Sequence, residues 1–136
     1  MKAKNEQSGD MLAHLFFDAI SLGDSALVSS LVTPDCVIWH NYDGTEKPFS
    51  EMIPKLAAFR GMLAELAYAE RDYMSLADGT LALHILHSVR PDGIVVDVPV
   101  AVRLRCSDGL INHIMEYVDP AALAPLASPQ GASSQS

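Results

Sequence analysis

The chain has 136 residues with 9 basic and 17 acidic side chains, a net charge of −8, 49% hydrophobic and 19% charged residues. That length buries a core without disulfides or a metal, and that apolar share describes one globular domain, not a disordered chain. The acidic balance, with no cluster of Lys and Arg, disfavours nucleic acid and anionic membrane surfaces as partners.

Residues 1–9 form a polar lead-in, expected to be flexible, without the apolar stretch of a signal peptide, so a cytoplasmic protein is expected. Asp10 is placed to cap a helix whose apolar positions Met11, Leu12, Leu15, Phe16, Ala19 and Ile20 recur at helical spacing and end at Gly23. Asp24 then caps a shorter helix with Leu27, Val28, Leu31 and Val32 as its stripe, stopped by Thr33-Pro34. Cys36–Tyr42 is β-branched and aromatic, hence a strand, closed by Asp43-Gly44. A third helix is expected over Ser50–Ala64, capped by Ser50, with Met52, Ile53, Leu56, Phe59 and Leu63 on its apolar face. Glu65–Leu76 alternates imperfectly and is read as a strand, because the sheet needs a partner leading into Asp78-Gly79.

Three apolar runs follow, TLALHILHSV, IVVDVPVAVRLRC and LINHIMEYVD, separated by the turn words PDG and SDG, and together they read as an antiparallel meander. After Asp119-Pro120 a short apolar piece, Ala121–Leu126, leads into a tail (127–136) of disordered composition. Helices early and strands late predict an α+β domain over residues 10–126. Three helices pack on one face of a curved, mixed but mainly antiparallel sheet and leave a conical cavity between the layers. Cys36 and Cys106 read as buried thiols in a reducing compartment. No Cys or His spacing fits zinc, and the acids at 43, 46 and 51 lack calcium-loop spacing, so neither a metal nor an organic cofactor is expected. Arg60 and Glu65 interrupt the longest apolar stretch below membrane-spanning length.

Side-chain alternation in the meander singles out two polar residues. His87 shares a row with Leu81, Leu83, Ile85 and Val89, and is expected to point into the apolar layer, with His84 pointing away. Glu116 shares a row with Leu110, Asn112, Ile114 and Val118, where a carboxylate is placed to act as acid or base. The structural alternatives are a core or dimer-interface histidine, and an ion pair of Glu116 with Arg103 or Arg105. On the first strand Trp39 and Asn41 share one row while His40 and Tyr42 share the other, and alternation does not choose between them. Phe16 and Phe59 are candidates for the helix side of a pocket, or plain core packing.

The Gly23-Asp24 elbow, the words VIWHNYDG (37–44) and DGLINHIMEYVD (108–119), and this order of elements resemble the NTF2-like superfamily over Asp10 to Leu126. Within it the nearest resemblance is to SnoaL-like proteins, a group with polyketide cyclases, ketosteroid isomerases and limonene-epoxide hydrolases. The isomerase acids and tyrosine fall on Asn41, Ala101 and Phe16, which disfavours that chemistry. The epoxide-hydrolase relay falls on Trp39, Asn41, Ile85, His87 and Glu116, and is broken at Ile85. The cyclase pattern fits best, with Glu116 at the base position and Asn41 at the substrate-binding position. The resemblance also implies that Trp39 and Asn41 face inward, with His40 outward or at the pocket mouth.

Two functional readings follow. One is a cyclase- or isomerase-type enzyme on an apolar polyketide- or steroid-like substrate, with Glu116 as base, His87 orienting it, and Trp39, Asn41, His40, Phe16 and Phe59 binding substrate. The other is a non-catalytic ligand-binding or dimerisation module. Either way a homodimer through the outer sheet face is expected.

Overall fold

The computed structural model describes the backbone of residues 2–127 and the side chains of residues 10–126. Met1 and the expected tail beyond Ala127 lie outside the described residues. Helix α1 (Lys2–Leu22) begins ahead of Asp10, which therefore lies inside the helix and does not cap it. Its buried face is Ala13, Phe16, Phe17 and Ile20, the spacing of one helical stripe. Gly23, at φ 73°, ends it: the Gly23 N–H donates to Ile20 O and the Asp24 N–H to Ala19 O, the paired bonds of a Schellman stop. The Asp24 carboxylate then accepts the Leu27 N–H at 3.1 Å and starts α2 (Ser25–Ser30).

Strand β1 (Val32–His40) begins four residues before the expected Cys36. Its register with β6 breaks between Val32 and Val37, which is where Pro34, lacking an N–H, can be tolerated. A three-residue strand, β2 (Glu46–Pro48), pairs with β1 and leads directly into α3 (Phe49–Gly61), so Ser50 is the second residue of that helix and not its cap. The meander follows as β3 (Glu65–Leu76), β4 (Gly79–Val89), β5 (Val95–Ser107) and β6 (Leu110–Tyr117), and α4 (Pro120–Ala127) closes the described chain. The order across the six-stranded sheet is β2-β1-β6-β5-β4-β3; β1 runs parallel to β6, and the other pairings among the described residues are antiparallel.

The helices cover one face of this sheet. On that face the even-numbered row of β5 (Val98, Val100, Val102, Leu104) is buried, each side chain contributing roughly 1.5–3 kcal/mol as an upper bound. Pairing carries the same face across the sheet. Val102 sits opposite Ala82 on one side and Glu116 on the other, and Val100 sits opposite His84. Two anchors hold α1 and α3 over it. Arg60 Nε donates to Ser21 O at 2.6 Å, and Arg71 reaches from β3 to Asp18 Oδ1 at 2.6 Å and His14 Nδ1 at 3.1 Å. Arg71 follows Glu70, whose φ of 52° marks a bulge where the β3–β4 register shifts.

Candidate functional site

Glu116, next to last in β6, and His40, last in β1, meet at one end of the helix-covered face. Register places His40 beside Glu116, and His40 Nε2 donates to Glu116 Oε1 at 2.7 Å. The histidine side chain is 7% exposed and the glutamate 30%, so one partner is walled in and the other opens to solvent. The imidazole therefore holds one carboxylate oxygen in place and leaves the second available. His40 also lies against the Tyr42 ring, centroids 4.9 Å apart.

Around this pair the sheet and α1 supply an aromatic wall. Phe16 packs on Phe17 and Phe49, with centroids 5.2 and 5.8 Å apart. Phe17 also touches Tyr68 (4.9 Å) and His84 (4.8 Å), and Tyr68 meets His84 at 4.7 Å. His84 is 4% exposed and neither of its ring nitrogens has a hydrogen-bond partner. Burial lowers its pKa to about 4, against an opposing pull from the Glu116 charge and with a smaller push from Arg71. The phenols of Tyr68 and Tyr42 are both shifted upward, first by burial and then by Glu116. His84, Tyr68 and Tyr42 thus all sit within the field of one carboxylate.

Several expected site residues lie elsewhere. His87 is corrected to the outer face, where Nδ1 bonds Asp97 Oδ1 at 2.6 Å and Nε2 lies 3.4 Å from Glu65 Oε2. It pairs with Asp97, five residues along β4 from the Ala82 row that leads to Glu116. That is about 16 Å at ~3.3 Å per residue, so His40 and not His87 orients the carboxylate. Trp39 is likewise outward, against Tyr117 at 5.3 Å, and His40 inward, the reverse of the expectation. Asn41 is exposed at the end of β1, where its Oδ1 accepts the Val118 N–H at 2.9 Å, an anchoring role for the end of β6. Phe16 is buried in the aromatic wall and Phe59 is half-buried against the core.

His84 and Tyr68 had no part in the expected site. The signal for His84 lay in β5, whose polar residues Asp97, Arg103 and Arg105 share one row with Pro99. Hairpin pairing sets the even positions of β4 on the opposite, buried row. Among the described residues no group of three or more His, Cys, Asp or Glu side chains could hold a metal ion, and no helix is long and apolar enough to cross a membrane.

Neither a protein-family profile nor a curated protein sequence matches the chain. Solved structures do. A candidate SnoaL-like polyketide cyclase from Jannaschia sp. CCS1 superposes with a TM-score of 0.74 at 17% identity, over 90% of this chain and 93% of that one. IdmH, a candidate polyketide cyclase from Streptomyces antibioticus, gives 0.75 at 14% identity, over 88% and 98%. TerC, co-crystallised with polyporic acid, gives 0.72 at 15% identity, over 88% and 97%. The helices of the N-terminal half, the mixed six-stranded sheet and these superpositions together show that the chain has the NTF2-like fold, which it shares with these SnoaL-like structures.

Proposed function

We propose that the chain binds a small, mostly apolar molecule on the concave face and acts on it as a cyclase- or isomerase-type enzyme. Glu116 is the general base and His40 its positioning partner, and the substrate is an enolisable polyketide- or steroid-like ketone. The observation that carries this reading is the asymmetric burial of the pair: an enclosed histidine fixes a carboxylate whose second oxygen is open to a ligand. The aromatic wall of Phe16, Phe17 and Tyr68 suits a flat apolar body. TerC, whose structure superposes on this chain, was co-crystallised with a small molecule, polyporic acid. Two unpaired thiols, Cys36 and Cys106, accord with a cytoplasmic setting.

The test is solvent-deuterium incorporation beside the carbonyl of a panel of polyketide and steroid ketones. Wild type exchanges at least one of them, and Glu116→Gln slows that exchange by about 100-fold or more, the range of a positioned base. Exchange at equal rates in the two proteins, or none by wild type across the panel, refutes the reading.

The convex face supports a homodimer. A depression of about 500 Å³ is lined there by Leu83, Ile85, Pro99, Ala101 and Tyr117 of the outward row, together with Glu70, Asp72 and the strand positions His84 and Val100. A two-fold axis near the middle of β5 would set Arg103 of each copy over Asp97 of the other, since these residues flank Val100 symmetrically on the outward row.

A further inference from the structure

We infer that Asn41 is a positioning residue, whose side-chain oxygen extends the β1–β6 ladder and so holds Glu116 against His40. This rests on the assignment of Glu116 as base. In a parallel pair, the N–H and C=O of one residue bond to the two residues that flank its opposite number. His40 stands opposite Glu116, so Asn41 comes opposite Tyr117, between Glu116 and Val118. The first of its two bonds is regular: the Asn41 N–H donates to Glu116 O at 3.1 Å. The second is made by the side chain. Strand β1 ends at His40, and the Gly44 N–H closes the following turn on His40 O at 2.9 Å. The Val118 N–H then donates to Asn41 Oδ1, at 2.9 Å. The side-chain amide thus stands in for a main-chain carbonyl, and the ladder gains one rung past the end of the strand.

The place of that rung gives it a bearing on the carboxylate. Glu116 is next to last in β6, and strand ends are where local opening starts. Strand β5 pairs the far edge of β6, Val102 with Glu116 and Ala101 with Tyr117, and fixes its height in the sheet. It does not fix the gap to β1, which the 2.7 Å bond from His40 Nε2 to Glu116 Oε1 has to cross. The two Asn41 bonds hold that gap on either side of Tyr117, at Glu116 and at Val118. Val118 is buried, so its N–H needs a protein acceptor, and Asn41 supplies one without adding a charge. A displacement of about 1 Å at a reacting group can cost about 100-fold in rate, so loss of this rung should be read in turnover.

The test compares wild type with Asn41→Ala, Asn41→Asp (which keeps an acceptor) and Glu116→Gln. Three signals are followed: hydrogen exchange of the Val118 amide, the His40 Nε2 proton by NMR, and deuterium incorporation into the ketone that wild type exchanges fastest. In wild type the Val118 amide is protected and the His40 proton is visible. Asn41→Ala speeds exchange of that amide about tenfold or more, loses the His40 proton to solvent, and lowers kcat about tenfold at unchanged KM, with circular dichroism as in wild type. Asn41→Asp restores both NMR signals and most of kcat. An unprotected Val118 amide in wild type overturns the inference. So does an Asn41→Ala protein that frees this amide but keeps the His40 signal and kcat, since Asn41 then only ties down the strand. A raised KM with kcat intact means that Asn41 touches substrate, and a loss that Asn41→Asp does not repair means that the acceptor is not what matters; either result overturns it. If Glu116→Gln exchanges the ketone like wild type, or wild type exchanges none, the base assignment falls, and the two NMR signals alone decide whether Asn41 holds the pair.

Discussion

The neutral, buried state of His84 makes a measurable prediction about acid stability. Its pKa is lowered from 6.5 to about 4, chiefly by burial between Phe17 and Tyr68. The unfolded chain therefore binds a proton at this site over a pH range in which the folded chain does not. Under proton linkage, stability rises with pH in that window, and it is lost as pH falls from 6.5 towards 4. At about 1.4 kcal/mol per unit, the loss from neutrality to roughly pH 4.5 is about 2–3 kcal/mol, a large share of a small domain's stability. Urea unfolding of wild type and His84→Phe at the two pH values isolates it, because the other carboxylates and histidines titrate alike in both proteins. The variant should lose about 2–3 kcal/mol less on acidification. It should also be more stable at neutrality by about 1 kcal/mol, since two orphaned polar atoms give way to an apolar ring. Equal acid losses in the two proteins would refute the burial argument.

Three further perturbations test other parts of the structure. Ile85→Glu, on the outward row of β4 in the depression, tests the proposed homodimer: wild type should sediment as a dimer and the variant as a monomer with unchanged circular dichroism, and a monomeric wild type or a dimer unaffected by this charge refutes that interface. Gly79→Ala should destabilise by about 3 kcal/mol or more in urea melts, because the new Cβ would lie 1.8 Å from the Leu104 carbonyl oxygen, and neither strand can yield without breaking the β4–β5 register; a near-neutral result refutes that close approach. His87→Ala should change stability by less than about 1 kcal/mol, since its pairs with Asp97 and Glu65 are solvated, and should leave ketone exchange as in wild type; a large loss of exchange would return His87 to the site.

The elements were legible wherever local chemistry dictates a boundary. Gly23 and Asp24 stop one helix and start the next by hydrogen bonds that need only those two residue types. Asp108 and Gly109, at φ 53° and 80°, form the two-residue hairpin that an Asp-Gly pair specifies between β5 and β6. Asp78-Gly79 looks the same in sequence but works differently. The turn there is Ala77-Asp78, and Gly79 is already in β4, its missing side chain admitting the Leu104 carbonyl. Strand β2 was invisible because Glu46, Lys47 and Pro48 carry no apolar pattern, and only tertiary pairing with Val37, Ile38 and Trp39 makes them a strand.

The site was misread for a physical reason that bears on function. Assigning strand faces by apolarity assumes that the greasier row faces the core, and here β4 breaks that assumption. Leu81, Leu83, Ile85 and Val89 point outward while Thr80, Ala82, His84 and Ser88 point in. Strand β1 repeats the inversion, with Trp39 outward and His40 inward. Strand β5, with Asp97, Arg103 and Arg105 outward, keeps the ordinary polarity and fixes the true face through its pairing. A convex row of aliphatics is stable in water when a second surface covers it, and a concave row of imidazole, hydroxyl and carboxylate groups is stable when each finds a partner. Glu116 and His40 have found theirs in one another, whereas His84 has not. The two inversions thus have complementary explanations. On the proposed reading, the outward aliphatic row is the surface a second copy of the chain would cover, and the inward polar row is the one a ligand would meet.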